Sequence, residues 1–338
     1  MLKRIMAPVD GSKRAERGLE VAARLARGSG SELLLARIVS VPYVRFAPYG
    51  EPAQIALAVI ANAREDVEEY LKRVSESALV EDIAVQTRAV EGHVTADILD
   101  LARDEKCDLI VISTHGYTGF NRWRLGRVAN HVARHSPVPV LIVPSQDSDE
   151  THAIAGEGLR ILITLDGSEL AEASLAPALE IAHALAEPEQ ITVHLMEVVD
   201  VFAAIMAEAD DDDAKTPADS KPYAGGTENQ ALDAARGYLD TVSQKVRQEN
   251  PGVTVTSAAR LATDVAQTIC DTAEEKPPFD FIAMATHGRG GLQRWALGSI
   301  TERVLHATHL PLLIARSPVD IARENEAAET DANLEPQR

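Results

Sequence analysis

The chain has 338 residues, more than the roughly 100–150 of one ordinary compact domain, so two domains are expected. Its composition is globular, 45% hydrophobic and 25% charged, but 33 Lys+Arg face 52 Asp+Glu for a net charge of −19. So acidic a chain is a poor partner for nucleic acid or an anionic membrane surface, and no apolar run approaches the ~18–20 residues of a membrane-spanning helix.

Taken in order, Ile5–Val9 reads as a short buried strand ended by Asp10-Gly11-Ser12, a turn running into a helix N-cap. Ala15, Leu19, Ala22, Ala23 and Ala26 then recur at helical spacing until Gly28 and Gly30 stop the helix. Leu33–Val39 is a second strand, Ile55 to about Ala78 a long amphipathic helix, and Ile83–Val90 a third strand. Thr95–Arg103 is predicted helical and Leu109–Ser113 a fourth strand. A glycine loop leads into a helix at Val128–His135, and Val138–Val143 is the fifth strand. Continuous Val/Ile/Leu strands alternating with helices predict a parallel sheet covered on both faces, a doubly wound α/β domain.

The remainder repeats this pattern. Thr114-His115-Gly116 through Gly126 matches Thr286-His287-Gly288 through Gly298 at an offset of 172, with eight of thirteen positions identical. Pro139-Val140-Leu141-Ile142 meets Pro311-Leu312-Leu313-Ile314 at the same offset. Ile5–Ser12 meets Ile161–Ser168 at an offset of 156, so the second copy carries extra residues between its ends. The expected division is a first domain over 1–146, a polar linker over 147–158, a second domain over 159–317 and a charged tail over 318–338. An insertion at about 208–226, with Asp210 to Asp213 in a row, accounts for the extra length and reads as solvated chain. Pro177 falls inside the first helix of the second copy and should kink it.

The amino-terminal residues pass directly into a strand-like run, and the two cysteines, Cys107 and Cys270, stand far apart in no metal-ligand spacing. A reducing cytoplasm is the expected compartment. Both cysteines read as small buried residues. His131 and His135, one helical turn apart, lack a third metal ligand.

Open α/β sheets bind ligands beyond the carboxyl ends of their strands, where the strand order reverses. Asp10 and Asp166 end the first strand of each half, and each glycine loop joins the fourth strand to a helix start, where backbone N–H groups attract anions. No Asp or Glu occurs from Leu109 to Gln146 or from Phe281 to Thr301, whereas Arg122, Arg124, Arg127, Arg134, Arg289 and Arg294 do. The combination suggests a nucleotide. The plain alternative is a pair of tight strand-to-helix turns with arginines lying over apolar surface. Neither a P-loop nor a Rossmann glycine pattern is present.

On these residues both halves resemble the universal stress protein domain, over nearly the whole chain except the linker, insertion and tail. ATP-binding members of that family carry Gly-x-x-Gly, nine residues, then Gly-Ser/Thr. The second half has Ala285-Thr286-His287-Gly288, nine residues, then Gly298-Ser299, departing at Ala285. The first has Ser113-Thr114-His115-Gly116, nine residues, then Gly126-Arg127, departing at Ser113 and Arg127. The motif therefore favours the second half.

The resemblance implies that Asp10 and Asp166 meet ribose or adenine. It implies that Ile38 and Val198 line the adenine pocket, and that Gly116, Gly126, Gly288, Gly291, Gly298 and Ser299 face phosphates. The implied ligand is ATP, with or without magnesium. It further implies pairing of the two last strands, Val138–Val143 with Leu310–Ala315, as a pseudo-dimer within the chain; association of two chains is left open.

The function expected from this reading is a nucleotide-dependent stress sensor or regulator with a protein partner, not a fast enzyme; any ATP hydrolysis would be slow. The competing reading is a nucleotide-free interaction protein whose degenerate loops are structural. An adenylating transferase would need catalytic motifs that are not present. Neither nucleic acid nor membrane insertion is expected. His115 and His287 could meet phosphate or the loop backbone, and Trp123 and Trp295 read as packing residues.

Overall fold

The computed structural model describes residues 1–40, 52–114, 126–145, 158–201, 228–286 and 297–317, with the side chains of 52–61 excepted. The 208–226 insertion and the 318–338 tail lie outside these, as does all but Gly158 of the 147–158 linker. The chain divides into two compact units, Met1–Asp147 and Ser148–Arg338.

In the first unit the elements run β1 (Arg4–Pro8), α1 (Lys13–Ser29), β2 (Glu32–Ser40), α2 (Pro52–Ser75), β3 (Val85–Gly92), α3 (Val94–Asp104), β4 (Leu109–Ser113), α4 (Arg127–His135) and β5 (Val140–Val143). All pairings are parallel, in the order β3-β2-β1-β4-β5. Crossovers between parallel strands are right-handed. The chain steps one way from β1 to β3 and the other way from β3 to β5, so α1 and α2 fall on one face and α3 and α4 on the other. α3 accordingly packs on α4.

The second unit repeats the plan with β6 (Leu159–Leu165), α5 (Glu169–Glu172), α6 (Leu175–Leu185), β7 (Ile191–Asp200), α7 (Glu228–Glu249), β8 (Thr254–Ala262), α8 (Val265–Glu274), β9 (Phe281–Ala285), α9 (Ser299–Ala307) and β10 (Leu312–Ala315). Its order is β10-β9-β6-β7-β8, again parallel. Both halves are thus doubly wound α/β sheets of five strands among the described residues.

Local chemistry explains most boundaries. The Ser12 hydroxyl caps α1 by accepting from the Ala15 N–H, and Gly30 ends the helix at φ 69°, a left-handed conformation that suits glycine. Gly28, expected to help end the helix, lies within its last turn instead. The expected kink at Pro177 is a full break: α5 stops at Glu172 and α6 starts at Leu175. The proline ring excludes a continuous helix, because it would meet the carbonyl four residues back, at Ala173.

A second cause acts at the same place. Gly18 of α1 lies so close to β4 that an added Cβ would stand 3.0 Å from the Ser113 nitrogen. The residue matching Gly18 at the 156-residue offset is Ser174, which is fully buried in the break and donates its hydroxyl to the Ala171 carbonyl. A side chain there leaves no room for an unbroken helix.

The core of each half is the sheet itself. Ile5, Met6, Leu33, Leu34, Leu35, Leu109, Ile110, Leu141 and Ile142 are fully buried in the first, and Ile161, Val193, Leu195, Phe281 and Leu313 in the second. No helix among the described residues is long and apolar enough to cross a membrane.

Candidate functional site

In each half, the strand order reverses between the first and fourth strands of that half, β1 and β4 or β6 and β9. Ligands of open α/β sheets enter at this point, at the carboxyl edge. The predicted residues converge on it from two directions.

From the first strand, Asp10 follows the end of β1 and its Oδ1 accepts the Ser12 N–H at 2.9 Å. Gly11 between them has φ 86°, which lets the chain turn sharply without strain. Asp166 repeats this after β6: its Oδ1 accepts the Ser168 N–H at 3.1 Å and the Ser168 hydroxyl at 2.6 Å, with Gly167 at φ 80°. Each carboxylate is therefore held by its own turn at the rim of the sheet.

From the fourth strand, Ser113 and Ala285 are the last residues of β4 and β9, 7% and 8% exposed. The following residues, Thr114 and Thr286, accept the N–H groups of Gly126 at 2.6 Å and Gly298 at 2.8 Å. These bonds fix the starts of α4 and α9 over the strand ends. Gly126 and Gly298 are the N-caps, and Arg127 and Ser299 the first helical residues. The Asn130 N–H bonds to the Gly126 carbonyl and the Glu302 N–H to that of Gly298. The N–H groups of residues 127–129 and 299–301 thus precede the first intrahelical bond and form an anion-attracting cluster. A Cβ on Gly298 would stand 2.9 Å from the Thr286 carbonyl oxygen, so this close seating needs glycine.

Ile38 on β2 pairs with Val90 of β3, and Val198 on β7 with Arg260 of β8. Both are half-buried near the carboxyl ends of their strands. Gly116, Gly288 and Gly291, with His115, His287, Trp123 and Trp295, lie outside the described residues.

Four neighbours of the strand-end carboxylates were not predicted. Arg37 of β2 and Tyr70 of α2 lie beside Asp10, the Arg37 guanidinium carbon 4.8 Å from the Tyr70 ring centroid. In the second half Tyr238 of α7 donates its hydroxyl to Glu172 at 3.2 Å, and Glu197 of β7 is buried close by. The signal for Arg37 and Glu197 was a lone charge within an apolar strand run.

The expected passive residues behave as such. Cys107 and Cys270 are buried free thiols. Burial pushes Cys107 up to about 12 and Cys270 to about 11. Folded-state values above the ordinary 9 mean that this stabilisation is complete below pH ~9 and fades as pH rises through the folded values. In the native chain at pH 8, Ellman's reagent should react with neither thiol within minutes, and with both after denaturation. Fast labelling of the native protein would contradict this placement.

The His131 and His135 rings stack at 4.3 Å, with His135 Nδ1 2.9 Å from the His131 carbonyl. No group of three metal-ligating side chains occurs among the described residues.

What the geometry defines is a pair of doubly wound α/β domains, each with a carboxylate turn and an open helix start facing one strand-end crevice. The model of the Universal stress protein family matches residues 1–144 and 159–316, and the chain belongs to that family. A universal stress protein of Methanocaldococcus jannaschii is 32% identical over 145 residues, 42% of this chain and 82% of its own length. One of Mycobacterium bovis is 24% identical over 324 residues, 92% of this chain and 96% of its own. The crystal structure of a universal stress protein from Archaeoglobus fulgidus shares the fold, with a TM-score of 0.63 at 17% identity, over 93% of this chain and 98% of that one.

Proposed function

We propose that the chain is an ATP-binding regulator of stress adaptation, acting in the cytoplasm through a protein partner rather than as a fast enzyme. The observation that carries this reading is the convergence at the switch point. A turn-held carboxylate after the first strand suits a ribose hydroxyl or an adenine amino group, and the helix start after the fourth suits phosphate. Both halves hold both elements. Family membership supports the stress role, and no nucleophile–base–orienter constellation among the described residues suggests catalysis.

The test is mass spectrometry of gently purified protein for retained adenine nucleotide, followed by titration with tryptophan fluorescence. Trp123 and Trp295 stand three residues before Gly126 and Gly298 in sequence, so a ligand at either helix start should change their emission. No retained nucleotide and no response at millimolar ATP would overturn the proposal.

A second reading, a nucleotide-free interaction protein, is favoured by one observation. Gly298 is already required by the close approach to Thr286, whether or not a ligand binds. A partner that binds the ligand-free chain and is indifferent to ATP would establish that reading.

A further inference from the structure

The two halves differ at one matched position beside the strand-end carboxylate, with a guanidinium in the first and a buried carboxyl in the second. Ile5 pairs with Leu33 and Ile161 with Val193, so Arg37 and Glu197, each four residues further along the second strand, are counterparts. The Arg37 guanidinium nitrogens stand 3.0 and 3.1 Å from where a Cβ on Gly11 would lie, over the turn that holds Asp10. No carboxylate among the described residues forms an ion pair with Arg37. Beneath it Tyr70 is 6% exposed, and its hydroxyl is buried without a hydrogen-bond partner. A second guanidinium, that of Arg127, is exposed at the first residue of α4, whose first turn holds no acid.

In the second half a carboxyl replaces the first guanidinium and an uncharged serine the second. Glu197 is 1% exposed, Ser299 stands in place of Arg127, and Glu302 lies in the first turn of α9. The matching tyrosines sense the difference. Burial first, then Glu172, Asp166 and Glu197, raise the Tyr238 phenol. Tyr70 is pushed up to about 12 by burial and Glu16, against the opposing pull of Arg37 and Arg73.

We infer that the halves sort adenine ligands by charge: the first takes the di- or triphosphate as a free polyanion, and the second favours the monophosphate or the uncharged nucleoside. This rests on the nucleotide reading and ranks the halves opposite to the motif pattern, which looks at glycines and one hydroxyl. Charge decides because a unit charge within ~8 Å of a phosphate in a partly shielded crevice shifts affinity by about tenfold or more. The shift shrinks with added salt.

The test is calorimetric titration of the full chain with ATP, ADP, AMP and adenosine, in EDTA at low salt. One tight site is expected for ATP, weakening stepwise to AMP, and a second that prefers AMP or adenosine. Arg127→Ser, an exposed change that spares the core, should weaken the tight site about tenfold, as should Arg37→Gln. Ser299→Arg, the reciprocal change at an exposed position, should strengthen ATP binding at the other site by a similar factor. If ATP affinity is the same in Arg127→Ser and Arg37→Gln as in the parent chain, the charge assignment is overturned while the nucleotide reading stands. If none of the four compounds binds, both fall.

Discussion

Phe281→Ala should destabilise the second half by about 3–5 kcal/mol, the usual cost of emptying a large aromatic site in a core. Phe281 is fully buried at the start of β9, where it pairs with Ile161 of β6. That pair lies next to the strand-order reversal, so no flexible edge can collapse into the void. Since domains are stable by only about 5–15 kcal/mol, the second half should melt separately from the first and roughly 10 °C lower than in the parent. Differential scanning calorimetry checks this. A single unshifted transition would show that β9 is not central to the core.

Gly298→Val is the second large effect, and it acts on the site. The new Cβ would press on the Thr286 carbonyl oxygen from 2.9 Å. That carbonyl accepts the N–H that seats α9, and Thr286 is held in turn by its own N–H to the Ala315 carbonyl at 2.8 Å. Neither backbone partner can yield cheaply. Overpacking of this kind costs about 1–3 kcal/mol, and the start of α9 must shift away from the strand end. The second half should lose ligand binding by at least about tenfold while the first keeps its own, because a misplaced group loses its hydrogen bonds outright. Unchanged binding at both sites would place the ligand away from the helix starts.

How far the sequence discloses this architecture is clearest at particular residues. The apolar runs located every strand of the first half, but ladder chemistry trimmed the ends. The expected strands at 138 and 310 begin at Val140 and Leu312 because Pro139 and Pro311 lack an N–H. They contribute only carbonyls, to Ile110 and Ile282. The third strand starts at Val85 rather than at Ile83, whose N–H closes a turn onto the Val80 carbonyl. Hydrophobicity alone does not register such a turn.

At the site, Asp10, Asp166, Gly126 and Gly298 were legible because turns and helix starts have strict residue preferences. Arg37 and Glu197 were not, since a single charge in an apolar strand gains meaning only once strand register matches the two positions. The broken α5–α6 helix was half legible: Pro177 announced it, but the demand for a small residue opposite β4 is a packing fact.

The uneven charge of the chain now has a functional reading. A net −19 argues against polymeric phosphate, yet the first half sets Arg37 beside its carboxylate turn and Arg127 at its helix start, where the second has Glu197 and Ser299. The most direct measurement of the central claim is amide hydrogen exchange with and without ATP. Protection is expected at residues 127–129, whose N–H groups precede the first intrahelical bond of α4, and at the Asp10–Ser12 turn, with a weaker effect at residues 299–301. Exchange unchanged at all three segments under saturating ATP, or protection confined to other surfaces, would contradict the account.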